Sequence, residues 1–232
     1  MSTRERYFAL DILRGLSILL MMCHHFAVDL IGNGLIPAWL CDNLPFRIVQ
    51  PIFASGFIAM SGASSRFGHN NIRRGLKICA AAAAISLVTW FLGDDMFIRF
   101  GILHFLGVMS LLYPLIRPWF EKCRIPGWVW FILWLISYQF FPVRTDIPWL
   151  WPLGFITRSF WSADYYPLLP WIFMYLFGAW AAVPIMEHKL PDWFYRIRCT
   201  WLEWVSRWSF WIYLLHQIPI YGLTLLLVKM KG

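Results

Sequence analysis

The sequence is poor in charge and carries none of the familiar motifs of soluble enzymes. Only 14% of its 232 residues are charged, whereas 60% are hydrophobic, and a soluble domain has about a quarter charged residues. No GxGxxG, Walker, HExxH or GxSxG pattern occurs. Their absence excludes the usual nucleotide loop, zinc-protease helix and serine elbow. We therefore do not expect a soluble catalytic domain.

Two further features are missing, namely regular cysteine spacing and a continuous basic face. The cysteine count is five, and no CxxC pair occurs, so neither a disulfide framework nor a zinc knuckle is predicted. The net charge of +8 is distributed over alternate loops, which argues against a nucleic-acid partner. The cysteines are Cys23, Cys41, Cys79, Cys123 and Cys199.

Long apolar runs and tryptophan are abundant. The chain has 16 Trp and a mean hydropathy of +0.60, and a membrane helix needs about 20 apolar residues. We predict an all-α polytopic transmembrane helix bundle, one domain over residues 1–232, with about seven spans. The first apolar run is too long for a cleavable signal and lacks a small-residue cleavage site. The spans are 8–30, 46–65, 75–92, 98–117, 127–141, 167–186 and 206–228. The aromatic segment 147–161 is expected to lie in the interface or to re-enter.

Lysine and arginine divide unevenly between the two sets of predicted loops. Thirteen fall in the set that contains the N-terminus and six in the other, and cytoplasmic loops carry the excess of these residues. We therefore expect the N-terminus in the cytoplasm and the C-terminus outside. The larger set is Arg4, Arg6, Arg66, Arg73, Arg74, Lys77, Arg117, Lys122, Arg124, Lys189, Arg196, Arg198 and Arg207.

Span one carries ionisable side chains, which are costly inside a bilayer. Asp11 and Arg14 can pair on one helix face, either as an interfacial ion pair or as part of a site. His25 shares the face of Arg14 and lies roughly 16 Å further along the axis. Asp29 is one turn beyond, where its carboxylate could orient the His25 ring. His24 points about 100° away and is expected either to support the site indirectly or to pack.

His104, in predicted span four, lies at about the depth of His25. A lone buried histidine is usually a structural residue, but the matching depth and the proximity of Asp29 favour a shared site. Metal ligation by these three residues is an alternative, although their spacing alone does not support it.

The role of His216 is left open by its surroundings. It lies beside Gln217 and just before Pro219, so a functional role and a structural hydrogen bond at a Pro-distorted helix are equally compatible with the sequence. His69 and His188 lie in predicted cytoplasmic loops and are expected to be solvated.

The cytoplasmic end of span two is rich in small residues, and basic residues follow it. Small residues let helices approach closely, and loop charges set topology, so neither feature requires a ligand. The alternative is a cradle for a phosphorylated ligand, because the arginine fork matches phosphate. Its side chains would be Ser61, Ser64, Arg66, Arg73 and Arg74.

Five segments taken in order resemble a known family. They are RYFALDILRGLSILLMMCHHF, FASGFIAMSGASS, IRFGILHFLG, YYPLLPWIFMYLFG and WSFWIYLLHQIP. Together they resemble the heparan-alpha-glucosaminide N-acetyltransferase catalytic domain family, nearly end to end. Span one is also similar to the broader membrane acyltransferases of cell-envelope sugars, which show an Arg, ten residues and a His, as here from Arg14 to His25.

The resemblance implies transfer of an acyl group, expected to be acetyl, across the membrane. Acetyl-CoA would bind from the cytoplasm, and the acceptor would be a sugar amine or hydroxyl on the outer side. By resemblance, His25 is the catalytic histidine, Arg14 lies near the CoA end, and His104 occupies the family's FGILH-like segment. The region GNGLIPAWLCDNL departs from the lysosomal enzyme, so a bacterial envelope glycan or small amine is as good a candidate as heparan.

Two functions follow as alternatives. The first is an acetyltransferase in which His25, Asp29 and His104 are catalytic. The second is a seven-span proton-coupled transporter in which the same residues relay protons; an inverted repeat would favour it, and none is visible. The expected location is a bacterial inner membrane. The expected partners are the lipid bilayer, acyl-CoA and a glycan or amino-sugar acceptor, with a homo-oligomer as an open alternative.

Overall fold

The chain is mainly helical. The computed structural model describes residues 7–68 and 70–231, and 75% of the structure is helix, which confirms the all-α class. Arg4, Arg6 and His69, which belong to predicted cytoplasmic loops, lie outside the described residues. The helices are α1 Phe8–Gly32, α2 Trp39–Asp42, α3 Leu44–Phe67, α4 Asn71–Leu92, α5 Ile102–Cys123, α6 Gly127–Tyr138, α7 Leu168–Met186, α8 Asp192–Arg196, α9 Thr200–Leu215 and α10 Gln217–Lys231.

Four of the helices in the described residues are long and apolar enough to cross a membrane. They are α1, α4, α5 and α7, and the pair α9–α10 makes a fifth if its two parts, bent by 62°, form one span. These five correspond to predicted spans one, three, four, six and seven. The observed helices start and end within six residues of the predictions.

The remaining two predicted spans, 46–65 and 127–141, do not form helices that are both long and apolar enough to cross a membrane. α3 is 24 residues long, but Arg47, Pro51 and its many small polar residues lower its hydropathy. α6 has only 12 residues, which is about 18 Å of helix against a hydrocarbon core of about 30 Å. The count of seven is therefore not confirmed. The cytoplasmic position of the N-terminus stays a prediction.

The aromatic segment 147–161 is not helical. It contains a 3₁₀ turn, Trp151–Leu153, and the strand β2, Phe155–Ile156. This strand pairs in parallel with β1, Val143–Arg144. The short pairing satisfies backbone groups that a non-helical segment would otherwise expose. Its interfacial or re-entrant position stays a prediction.

The chain divides into two compact units. The first comprises Met1–Phe57 with Leu190–Gly232, and the second comprises Ile58–Lys189. The boundary falls inside α3. The expectation of a single domain over residues 1–232 stays a prediction.

In the first unit, α1 packs against α9 and α10. The approach to α9 is close because Gly15 has no side chain: a Cβ there would lie 2.5 Å from the carbonyl oxygen of Leu202. At the start of α9, Arg198 pairs with the buried Glu203 at 2.9 Å, and its guanidinium lies 3.5 Å from the centroid of the Phe8 ring. This packing sets the polar residues of α1 against the α9–α10 pair.

In the second unit, α4 packs along α5, and α6 packs along α7. A Cβ on Gly107 would lie 3.0 Å from the backbone nitrogen of Cys79, so α4 and α5 touch almost backbone to backbone. A Cβ on Gly62 would overlap the backbone of Tyr175. Close helix packing is therefore confirmed as one use of the small residues in predicted span two.

Candidate functional site

A pair of histidines lies in the first unit, where α1 meets the junction of α9 and α10. The ring centroids of His25 and His216 are 5.0 Å apart, and their planes are inclined at 61°. His25 is half-buried, and His216 is only 9% exposed. The structure thus places beside His25 a residue whose role the sequence left open.

The break between α9 and α10 determines where His216 lies. Pro219 has no N–H to donate to the carbonyl of Leu215, and its ring crowds that turn. The helix bends there by 62°. The backbone nevertheless stays ordered, since the His216 N–H donates to Ile212 O at 2.9 Å and the Ile220 N–H donates to His216 O at 3.2 Å.

The hydrogen bonds of the His216 ring define its tautomer. Nδ1 lies 2.6 Å from the backbone carbonyl oxygen of Tyr213, and a carbonyl can only accept, so Nδ1 carries the proton. Nε2 is then an acceptor. It is buried and has no hydrogen-bond partner among the described residues.

Asp29 is engaged by the start of α10 and not by His25. The side-chain amide of Gln217 donates from Nε2 to Asp29 Oδ2 at 2.8 Å. The other end of that amide, Gln217 Oε1, is buried without a partner in the described part of the chain. A direct Asp29–His25 contact is therefore not formed in this structure, and a role for Asp29 in orienting His25 stays a prediction.

His24 lies in aromatic surroundings. Its ring stacks on Phe46 with centroids 4.6 Å apart and meets Phe53 edge-on at 5.7 Å. Neighbouring positions on α1 therefore differ, since His24 packs and His25 faces another histidine. This arrangement agrees with the packing role expected for His24.

Arg14 lies near the start of α1 in a polar cluster with α9. Its Nη1 lies 3.5 Å from Asp11 Oδ1 and donates to Ser206 Oγ at 3.4 Å. The Ser206 hydroxyl donates to Asp11 Oδ1 at 2.9 Å. The predicted Asp11–Arg14 pair is thus formed, with a serine that sequence inspection missed. The side chain of Arg14 keeps 24% of its surface exposed, so it can still reach a ligand.

His104 belongs to the second unit and serves as a cap for α5. The Gly101 N–H donates to His104 Nδ1 at 3.2 Å, and Nε2 lies 3.0 Å from Ser86 Oγ. The Ser86 hydroxyl donates to Ile98 O at 2.6 Å, so His104 Nε2 is the donor to Ser86. Both ring nitrogens are engaged, and an approach of His104 to His25 stays a prediction.

Asp164 completes the same cap from the loop that precedes α7. Its Oδ2 accepts from the Ile102 N–H at 3.1 Å, and a Cβ on Gly101 would collide with its carboxylate. Burial raises the pKa of Asp164 to about 6, although the Ile102 hydrogen bond acts in the opposite direction. Burial also raises the pKa of the neighbouring Tyr165 hydroxyl.

The predicted phosphate cradle falls at the junction of α3 and α4 in the second unit. Arg66 pairs with Glu121 at 2.6 Å. Arg74 donates to Ser110 Oγ at 3.3 Å and also contacts Ser65, whose hydroxyl meets that of the buried Tyr175.

Arg73 differs from these two arginines, because it is exposed in the first turn of α4. The side chain of Asn70 caps that turn by accepting from the Arg73 N–H at 3.2 Å. Ser61 and Ser64 are half-buried near the end of α3. A role for any of these residues in binding a cofactor stays a prediction.

No group of three His, Cys, Asp or Glu side chains within residues 7–68 and 70–231 is placed to hold a metal ion. The residues that sequence inspection missed or left open are His216, Gln217, Ser206 and Asp164. Of these, only His216 and Gln217 could be noticed in the sequence, because they form a polar pair before a proline inside an apolar run. Ser206 and Asp164 are recognisable only once α1 and α5 have their partners.

Comparison with known proteins identifies a family for this chain. The family model described as heparan-alpha-glucosaminide N-acetyltransferase, catalytic, matches residues 6–218. No curated protein and no solved structure matches the chain. The matched range contains α1 with Arg14 and His25, the cap with His104, and the bend with His216.

Proposed function

Because the chain belongs to the heparan-alpha-glucosaminide N-acetyltransferase catalytic family, we propose that it moves an acetyl group from cytoplasmic acetyl-CoA to a sugar amine or hydroxyl outside. The observation that carries the proposal is the extent of the match, residues 6–218 of 232. The family match and the apolar helices support a membrane acetyltransferase. The donor, the direction of transfer and the acceptor class belong to the proposal.

His25 is proposed to perform the chemistry. An imidazole can take the proton of the attacking amine or hydroxyl, or it can accept the acyl group as a transient acyl-imidazole. Arg14 lies eleven residues earlier, or roughly 16 Å along α1. A thioester on a long, narrow arm that enters at Arg14 would reach that depth. Asp29 would assist through Gln217, and His104 would contribute from α5.

The phosphates of acetyl-CoA are proposed to bind the basic residues at the cytoplasmic ends of the helices. Arg73 is exposed and Arg14 is partly so, so both can form bidentate contacts with phosphate. Arg66 and Arg74, which contact Glu121 and Ser110, would shape the site by fixing the helix ends. Ser61 and Ser64 complete the proposed set. When bound, acetyl-CoA supplies the activated acyl group.

The proton-coupled transporter is not favoured. The family match concerns a transferase catalytic domain, and transport alone would not require an acyl donor. We propose the bacterial inner membrane as the location and an envelope glycan or amino sugar as the acceptor. Self-association into a homo-oligomer and the lipid partners stay predictions.

The proposal is tested with the full chain in lipid nanodiscs. Acetyl-CoA is supplied with glucosamine or with an envelope glycan extract, and free CoA thiol and acetylated product are measured together. We expect both to rise in equal amounts, and we expect acetyl-CoA to raise the melting temperature. Unchanged melting together with no product from either acceptor would contradict the proposal and revive the transporter.

A further inference from the structure

His216 occupies the position beside His25 that an orienting residue needs. The two ring centroids are 5.0 Å apart, which is short enough for ring nitrogens to meet after a small side-chain rotation. Asp29, one turn from His25, accepts a hydrogen bond from the Gln217 side chain at 2.8 Å. The residue in place to orient His25 is therefore on the α9–α10 junction.

We propose that His216 is a positioning residue for His25, with its Nε2 accepting a hydrogen bond from a ring N–H of His25. The bond would fix the His25 tautomer, so that the other His25 nitrogen presents its lone pair to the acceptor substrate. This inference rests on the proposed function, because it assigns His216 a task in the acetyl transfer carried out by His25.

The tautomer of His216 supports this direction of the hydrogen bond. Its Nδ1 proton is committed to the Tyr213 carbonyl oxygen at 2.6 Å, and so Nε2 can only accept while the ring is neutral. Nε2 is buried without a partner among the described residues. A buried acceptor without a donor is destabilising, and the N–H of His25 would offset that loss.

The backbone holds His216 firmly enough to position another side chain. Its N–H donates to Ile212 O at 2.9 Å, and its carbonyl accepts from Ile220 at 3.2 Å. With the ring bond to Tyr213, three hydrogen bonds fix the residue at the bend. The Gln217–Asp29 bond then keeps the start of α10 beside α1, close to His25.

A metal site and simple packing both account less well for the pairing of His25 with His216. A metal site needs a third ligand, and no group of three His, Cys, Asp or Glu side chains is placed to hold a metal ion within the described ranges. Simple packing would be served better by an apolar side chain, since it would leave no buried nitrogen unpaired.

The proton balance of the step is simple. As the nitrogen or oxygen of the acceptor bonds to the acyl carbon, its proton moves to the free lone pair of His25. The carbon–sulfur bond breaks, and the electron pair leaves with the thiolate. The proton on His25 then passes to that thiolate and gives CoA thiol. Throughout, the original N–H of His25 stays hydrogen-bonded to His216 Nε2.

The test compares two polar variants that differ in which ring nitrogen they replace. In His216→Gln the amide lies near the Nε2 position and can still accept from His25. In His216→Asn it lies near Nδ1 and keeps only the bond to Tyr213. We expect His216→Asn to lower kcat by about 10–100-fold, the scale of a misplaced catalytic group, with KM for acetyl-CoA nearly unchanged. His216→Gln should retain most of the activity.

Histidine ring ¹⁵N spectra in nanodiscs supply a readout that needs no turnover. The His25 signals are assigned by their loss in His25→Ala. We expect one neutral His25 tautomer in the wild type and in His216→Gln, and a mixture in His216→Asn. Equal kcat in the wild type and His216→Asn, or the same tautomer ratio in all three proteins, would overturn the inference. If the wild type shows no transfer, the proposed function fails, while the spectra still decide the positioning.

Discussion

Two adjacent histidines of α1 show how surroundings decide the role of a residue. His24 is stacked on Phe46 with centroids 4.6 Å apart, whereas the ring beside His25 is that of another histidine. An imidazole held between aromatic rings contributes packing area. We propose that His25, which lies beside the Nε2 acceptor of His216 at a helix break, takes part in proton transfer.

The first prediction concerns this pair. His25→Ala should lower acetyl transfer about 10²–10⁴-fold, the usual value of general acid–base help. His24→Ala should retain most of its activity and lose stability instead, because only packing is removed. Turnover of acetyl-CoA by both folded variants measures the difference, with melting temperature as the control for folding. An inactive His24→Ala beside an active His25→Ala would contradict the assignment.

The second prediction concerns Arg14. Arg14→Ala should weaken binding of acetyl-CoA, since it removes a partly exposed guanidinium from the proposed phosphate end. Isothermal calorimetry on folded proteins in nanodiscs measures the affinity. Arg47→Ala, which alters an exposed arginine of α3 on the predicted outer side, is a matched control. Equal affinity in wild type and Arg14→Ala would remove Arg14 from the site.

Sequence inspection could propose His25 and Arg14 as site residues because their helical spacing is visible in one segment. It could not determine which ring lies beside His25, because His216 comes from the far end of the chain. Asp29 was the nearest carboxylate in sequence, but in the structure it accepts a hydrogen bond from Gln217. Matching depth suggested His104, yet a cap at Gly101 engages its ring. Long-range partners depend on how helices turn against each other, and periodicity does not specify that.

At the scale of elements, a helix break and a helix start place several polar groups of this molecule. Pro219 breaks the α9–α10 pair and brings His216 to the bend, while Gly101, His104 and Asp164 close the first turn of α5. The lengths of α1, α4, α5 and α7 follow from apolar runs and could be predicted. The span 127–141 is predicted to be the shortest, and α6 is three residues shorter still because it ends at Tyr138, before Gln139.

The third prediction concerns the cap of α5. Burial raises the pKa of Asp164 to about 6, above the unfolded value of about 3.9. The folded state therefore binds more protons between these values, and stability falls as pH rises from about 4 to about 6 and then levels off. In Asp164→Asn this loss should be absent. The stability of the variant relative to that of the wild type should therefore increase as pH rises.

Melting temperatures followed by tryptophan fluorescence at several pH values between about 4 and about 7.5 measure the effect of Asp164. The difference between the wild type and Asp164→Asn should grow up to about pH 6 and stay constant above it. Asp146→Asn, an exposed loop variant, controls for a general effect of charge. A difference that does not change with pH would contradict the raised pKa.

At the scale of the whole molecule, the number of spans determines on which side each end lies. Lys231 Nζ donates to Gly34 O at 3.0 Å, so the end of α10 lies beside the end of α1, remote from the start of α1. With an odd number of spans, either five or seven, the end of α10 falls on the same side of the membrane as the end of α1. The basic loops then indicate which side is cytoplasmic.

The fourth prediction is the topology. Reporter fusions after Lys77 and after Lys231 should report opposite sides of the membrane, with the fusion after Lys77 in the cytoplasm. The reason is the division of lysine and arginine, thirteen against six, together with the Lys231–Gly34 contact. A paired set of alkaline phosphatase and fluorescent protein fusions provides the reading. The same side for both positions would show that a span has been miscounted, as it is if α3 does not cross the membrane.

Transfer across the bilayer is the central claim, and proteoliposomes of one orientation test it most directly. Acetyl-CoA and a membrane-impermeant amino sugar are placed in the same or in opposite compartments, and acetylated sugar is measured. We predict product only when acetyl-CoA faces the cytoplasmic side and the sugar faces the other side, with His25→Ala giving at least about 10²-fold less. Product formed only when both substrates share one compartment would contradict the account.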